Sequence, residues 1–153
     1  MAIAIISDIH GNLEALQVVL ADIQKRDIQQ IYCLGDIIGY GPNPCQCLDL
    51  VMEHCQWALM GNHDFAVLYE PTSFNSGAES AVFWTRRQLE QEKDPESLRR
   101  RWDFLGNLNI RKRLNGALCV HASPRRPINE YIFPDDVIIA PNKMTQIFEI
   151  AGP

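Results

Sequence analysis

Four short polar clusters hold most of the side chains in this sequence that can do chemistry. They are Ser7-Asp8-Ile9-His10-Gly11-Asn12, Gly35-Asp36, Gly61-Asn62-His63-Asp64, and His121 followed by Ala122-Ser123-Pro124. Each comes directly after an apolar run. A mixture of carboxylate, imidazole and amide oxygen suits Mn, Fe or Zn better than Mg alone. Two such cations about 3.5–4 Å apart form a site fit for attack on a phosphate ester. Asp8 and His10 are two residues apart. In an extended backbone their side chains share a face and are expected to reach one cation. Asp36 is expected to place one oxygen on each of two cations, while Asn62 offers a carbonyl oxygen and His121 an imidazole.

Each residue also has a plainer use. Aspartate at a strand end caps the following helix as readily as it binds metal, which applies to Asp8 and Asp36 alike. A lone histidine such as His121 is more often structural, and Asn62 suits a turn. The conjunction of four clusters along one sheet edge is what favours a site.

The elements that must position these clusters follow from the apolar pattern. Residues 2–6 read as a buried strand. Asn12 is expected to cap a helix reaching about residue 26, with Leu13, Leu16, Val19, Leu20 and Ile23 as its apolar stripe. Residues 30–34 read as a second strand. A Gly- and Pro-rich loop (residues 39–44) then leads to a helix near residues 45–55, and residues 57–60 form a third strand. This alternation predicts parallel βαβ units, whose ligands bind beyond the carboxyl ends of the strands. Three of the clusters fall there. Residues 77–108 read as helical, divided at Pro95. Residues 110–114 and 117–120 flank Asn115-Gly116 as a hairpin, and His121 ends its second strand. Residues 124–141 are loop-rich, and residues 142–150 begin another helix. No repeat or linker divides the sequence, so residues 1–153 are read as one domain.

Composition limits the functions available. At 153 residues and 46% hydrophobic content the chain can bury a real core. A net charge of −5 disfavours a general nucleic-acid binder. The charge is uneven, with eleven Lys/Arg against five Asp/Glu between Arg86 and Arg126. Arg99, Arg100 and Arg101 are expected on a solvated helix face, whereas cations nearer the clusters would attract an anionic substrate. No stretch is long enough to span a membrane. The five cysteines follow no disulfide framework, which points to a reducing, cytoplasmic setting. Cys33 and Cys119 lie in apolar runs, and Cys45-x-Cys47 reads as helix-face cysteines before it reads as a metal motif.

The motifs S-D-I-H-G-N-L-E-A-L, C-L-G-D-I-I-G-Y-G-P-N-P, M-G-N-H-D and H-A-S-P-R-R-P-I-N-E-Y together resemble those of the calcineurin-like metallophosphoesterases, and in particular the small bacterial phosphoesterases of that superfamily. The likeness runs from Ala2 to about Tyr131. It implies an α/β metallophosphoesterase αββα sandwich. It also implies metal-dependent hydrolysis of phosphoesters, phosphodiesters or nucleotides foremost, by a bridging hydroxide between two divalent ions (Mn, Fe, Zn or Ni, with Mn favoured). Carried over by position, Asp8 and His10 hold the first metal, Asp36 bridges, and Asn62 and His121 hold the second. His63 contacts the phosphate and protonates the leaving oxygen, a role that an ordinary pKa near 6.5 would suit. Asp64 either orients His63 or caps the helix after it, and Arg125 either contacts the phosphate or is a plain surface residue.

The sequence departs from the family pattern in two places. The family's last motif, Gly-His-x-His, is absent, so the chain is expected to be truncated within the C-terminal part of the fold. An uncovered sheet edge would then favour homo-oligomers. Second, Gly39 and Tyr40 stand where the superfamily's protein phosphatases have an acid and a phosphate-binding arginine. This favours a small phosphoester or nucleotide substrate over a phosphoprotein. The rival expectation is a non-catalytic domain of the same fold that acts as a binding or scaffold protein.

Overall fold

The computed structural model describes residues 2–72 and 74–152. Three short strands, β1 (Ala4–Ile6), β2 (Ile31–Cys33) and β3 (Trp57–Ala58), form a parallel sheet in that order. The connecting helices are α1 (Leu13–Lys25) and α2 (Pro44–His54), so the expected βαβ units are present. β2 and β3 stop one and two residues before the expected carboxyl ends, where the chain turns into the polar clusters, whereas β1 starts two residues later than expected and ends at Ile6 as expected.

Register decides which face of the sheet is buried. Ile6, Cys33 and Ala58 lie side by side across the strands and pack with Leu16 of α1 and Cys47, Leu48 and Val51 of α2 in the main core. Ile5, Tyr32 and Trp57 line the opposite face. Tyr32 and Trp57 stack with centroids 4.7 Å apart, and Lys112 Nζ lies 5.8 Å from the Trp57 ring. Ile5 remains half exposed.

The remaining core comes from α3 (Asn62–Leu68), α4 (Ser76–Glu90) and α5 (Pro95–Gly106), through Ala66, Val67, Val82, Leu89 and Leu105. Burial of such side chains contributes roughly 1.5–3 kcal/mol each for Val and Leu. Local sequence sets the helix starts. Asn12, Asn75 and Asp94 each accept a backbone N–H three residues on with a side-chain oxygen, a cap contributing about 1 kcal/mol. Pro95 opens α5, where its missing N–H and fixed φ cost nothing.

After α5, Met60 N–H donates to Asn109 O at 2.9 Å, which ties the chain to the end of β3. The hairpin β4 (Arg111–Leu114) and β5 (Ala117–Val120) follows. Its two turn residues, Asn115 (φ 51°) and Gly116 (φ 88°), are both left-handed, as a two-residue hairpin turn requires. The loop-rich segment contains one short helix, α6 (Asp136–Ile139), before α7 (Pro141–Ala151). No helix among the described residues is long and apolar enough to cross a membrane.

Two expectations about charge and sulfur are settled by packing. Arg101 does not sit on a solvated face. It is 8% exposed, with Nη2 2.6 Å from Asp49 Oδ2 and Nη1 2.7 Å from Glu92 Oε2. It therefore joins α2 to α5 and to the turn after α4. Arg99 and Arg100 keep more exposed partners, Asp103 and Asp49. All five cysteines are free thiols. Burial pushes Cys47 and Cys55 up to about 12, so both remain protonated packing groups.

Candidate functional site

The three strand ends and the end of β5 deliver their clusters to one place. Asp8 and His10 reach it by a route that differs from the expected extended alternation. Both lie beyond β1 in left-handed backbone, at φ 55° and 49°, and Asp36 (φ 51°) and Tyr40 (φ 27°) do the same. Left-handed φ costs an L-residue roughly 1–2 kcal/mol. Among the described residues, four of the six non-glycine residues that adopt it are at this site, as backbone strain at functional positions would have it. Hydrogen bonds hold the strained loop. Asp8 N–H donates to Gly35 O at 3.0 Å, His10 N–H to Asp36 O at 2.9 Å and Gly41 N–H to His10 O at 2.7 Å.

Asp36 is at the centre and is 3% exposed. Its Oδ1 accepts the His63 N–H at 2.8 Å. Its Oδ2 lies 3.6 Å from His10 Nε2 and 3.6 Å from His121 Nε2. Gly61 packs against this carboxylate, and a Cβ there would come within 2.1 Å of Oδ1. Burial, helped by Asp8, pushes Asp36 up to about 7.

His121 shows what the cluster can hold. Its Nδ1 lies 2.9 Å from Leu34 O. A carbonyl only accepts, so Nδ1 carries the proton and Nε2 of the neutral ring presents a lone pair. That lone pair faces Asn62 Oδ1 at 3.1 Å and Asp36 Oδ2 at 3.6 Å. With His121 neutral and Asp36 ionised, all three atoms are acceptors, an arrangement that a cation relieves. A backbone carbonyl behind the imidazole is the usual support for a metal-binding histidine. Two sets of possible ligand atoms lie within 4.8 Å of one another, His10 with Asp36 and His63, and Asp8 with Asp36 and His121. Asp36 belongs to both. The donors present fit divalent cations, but the grouping differs from the expected one: His63 falls with His10, and Asp8 falls with His121 and not with His10.

His63 is 5% exposed. Its ring contacts Tyr40, His10 and Phe74 at centroid distances of 4.5, 4.8 and 4.8 Å. Burial, with His10 and His121 adding repulsion, holds its pKa down at about 4. The ordinary value near 6.5 is therefore not the one this site provides, and the ring is neutral at pH 7. Asp64 makes no hydrogen bond to that ring. Its Oδ1 accepts from Ile37 N and Ile38 N at 3.0 and 3.2 Å, and its Oδ2 from Gly61 N at 3.0 Å. It caps α3 and fastens that helix to the loop after β2. Burial raises Asp64 to about 7, while the N–H donors pull the other way.

A cleft of about 600 Å³ opens over the cluster. Asp8, Asn62, His63 and His121 line its inner end, and Tyr40 its wall. Arg125 bonds Glu130 and, at 2.7 Å, Gln146. Arg126 is the arginine that lines the cleft. The adjacent arginines in H-A-S-P-R-R-P carry no signal in the sequence that separates them. Phe74, Asn129 and Tyr131 also line the cleft and were not read as site residues. Only the nearness of Asn129 and Tyr131 to His121 hinted at them.

A parallel sheet with carboxylate, imidazole and amide donors gathered beyond its strand ends defines an α/β protein equipped to hold divalent cations. The chain belongs to the calcineurin-like phosphoesterase family, whose model matches residues 1–146. It is 42% identical over 142 residues to an uncharacterized protein of Methanocaldococcus jannaschii, covering 88% of this chain and 55% of that one. It is 34% identical over 83 residues to the symmetrical bis(5'-nucleosyl)-tetraphosphatase of Psychromonas ingrahamii, covering 52% of this chain and 30% of that one. A solved metallophosphoesterase from Sphaerobacter thermophilus superposes with a TM-score of 0.69 at 38% identity, covering 88% of this chain and 52% of that one. The chain spans about half the length, or less, of these relatives.

Proposed function

We propose that this chain carries the centre of a metal-dependent phosphoester hydrolase acting on phosphodiesters or nucleotides. The observation that carries this reading is Asp36 Oδ2, placed 3.6 Å from each of two imidazole nitrogens. A buried carboxylate shared in this way suits a pair of cations, with Mn²⁺ favoured for a mixed oxygen and imidazole set. Asp8, His10, Asp36, Asn62 and His121 would hold them. Divalent ions bound there would supply Lewis acidity and a water of lowered pKa.

The chain's own residues do the rest. Leu34 O fixes the His121 tautomer, and the Asp36 carboxylate holds the start of α3 through the His63 N–H. His63 donates a hydrogen bond to a phosphate oxygen and protonates the leaving oxygen. The negative charge of the ester raises its proton affinity from the low value of the free site. Asp64 holds His63 in place through α3, and Arg126 meets the ester's charge from the cleft side. Arg125 acts behind it by fixing Glu130. The free thiols suit a cytoplasmic setting. The convergence of all five ligand residues with His63 supports a hydrolase over the scaffold reading.

Elemental analysis after Mn²⁺ addition, with hydrolysis of bis-p-nitrophenyl phosphate beside it, tests the reading. Asp36→Asn should lose most bound metal. His63→Ala should keep it while turnover falls roughly 10²–10⁴-fold, as for loss of a general acid. Equal metal loss in the two variants, or no metal in the parent, would overturn these roles.

A further inference from the structure

The ligand residues occupy only the inner end of the cleft, and its outer walls have a different chemistry. Phe74 lies on one side. Arg126, Ile128, Asn129, Tyr131 and Ile132 lie on the loop after β5. A volume of about 600 Å³ is that of a site for a whole small molecule, much larger than a phosphate group. Whatever esterifies the phosphate must fill the remainder.

Tyr131 is 68% exposed and Phe133 58%, yet their rings stack in near-parallel planes, 15° apart with centroids 5.9 Å from each other. The backbone beneath them is fastened at several points. Lys143 Nζ donates to Tyr131 O at 2.7 Å, and Phe133 N–H to Asp136 Oδ2 at 2.8 Å. Upstream, the buried Ser123 hydroxyl donates to Glu130, which also pairs with Arg125. Ala122 N–H donates to Pro127 O at 2.8 Å. A flat aromatic surface held in place and left open to water suits a planar ligand, because little ordering entropy remains to be lost on binding. Offset stacking of rings adds to this.

We propose that the outer half of the cleft is a nucleobase subsite, with Tyr131 as the stacking surface and the Asn129 amide facing the base edge. The inner end takes the phosphate and the outer end the base, so the alcohol part of the ester is a nucleoside. The amide offers both a donor and an acceptor for a base edge, and Arg126, on the same lining, would meet the phosphate charge. This rests on the phosphoesterase reading above and adds the identity of the group beyond the phosphate.

The test measures equilibrium binding of AMP, ribose 5-phosphate and inorganic phosphate to the chain by calorimetry. AMP should bind about tenfold more tightly than ribose 5-phosphate, the scale of one base stacked on an aromatic ring. Tyr131→Ala should bring the two ligands to similar affinity, and Tyr131→Trp should restore the difference. Tyr131 is exposed, so far-UV circular dichroism should be the same in all three proteins. Equal affinities in the parent chain, or a preference that survives Tyr131→Ala, would overturn the subsite. Mn²⁺ content and bis-p-nitrophenyl phosphate hydrolysis are read separately. If both are present without a preference for AMP, the subsite fails alone. A preference for AMP without metal uptake would leave the subsite standing and remove the hydrolase reading.

Discussion

Gly39 closes the Nδ1 edge of His63. A Cβ at position 39 would lie 2.6 Å from that nitrogen, and Nδ1 is buried with no hydrogen-bond partner among the described residues. His63 is therefore positioned by packing against Tyr40 and Phe74, with no acid holding the ring. Gly39 is also at φ 111°, so any side chain there is strained as well as crowded. Gly39→Ala should shift the imidazole and reduce turnover of bis-p-nitrophenyl phosphate by roughly 10²-fold, the scale of a 1 Å misplacement. Bound Mn²⁺ should stay near the parent level. A fully active Gly39→Ala would show that the His63 ring position is not critical.

Metal uptake should depend on pH through Asp36. Its carboxyl is raised to about 7 in the metal-free site, and a cation needs it ionised. Above pH 7 no proton has to leave. Below it one proton must be displaced, so affinity should fall about tenfold per pH unit. His63 at about 4 and His10, which burial holds below its ordinary value, add little competition until lower pH. Mn²⁺ titrations at pH 6, 7 and 8 measure the slope. An affinity that is flat across this range would contradict the assignment of Asp36 as a shared ligand.

Arg101 should matter to stability and not to chemistry. Removing it leaves Glu92 without its arginine and Asp49 with Arg100 alone. Breaking a fully buried pair costs about 3–5 kcal/mol. Asp49 is 32% exposed, so water recovers part of that, and Arg101→Ala should cost about 2 kcal/mol. Arg99→Ala, on an 84% exposed side chain, should change the denaturation midpoint little. Urea unfolding of the two variants compares them, and equal midpoints would mean that the Arg101 network contributes nothing.

Self-association is expected from the surface. Ile138 and Ile139 are 80% and 74% exposed, Phe148 68%, and Ile5 on β1 51%. Apolar surface of this extent recruits another chain, and β1 is an edge strand of the sheet. Light scattering should show dimers or larger species at micromolar concentration, reduced by Ile138→Lys with Ile139→Lys. A monodisperse monomer would mean that these side chains find cover within one chain.

Much of this protein was determined within short stretches of its sequence. The Asn12 cap, the opening of α5 at Pro95 and the Asn115-Gly116 turn depend on neighbours a few residues away, so local pattern was enough to place them. The five candidate ligand residues and their positions after apolar runs were legible for the same reason. Tertiary structure alone decided how those ligands meet. Asp8, His10 and Asp36 converge through left-handed backbone held by N–H groups that donate to Gly35 O, Asp36 O and the Asp64 carboxylate, which no local periodicity encodes. It also buried Arg101 through Asp49, turned Arg126 and not Arg125 to the cleft, and lowered the His63 pKa by burial and by the imidazoles at positions 10 and 121. Each of these depends on which groups distant in sequence share a desolvated space, and only the packed chain defines that.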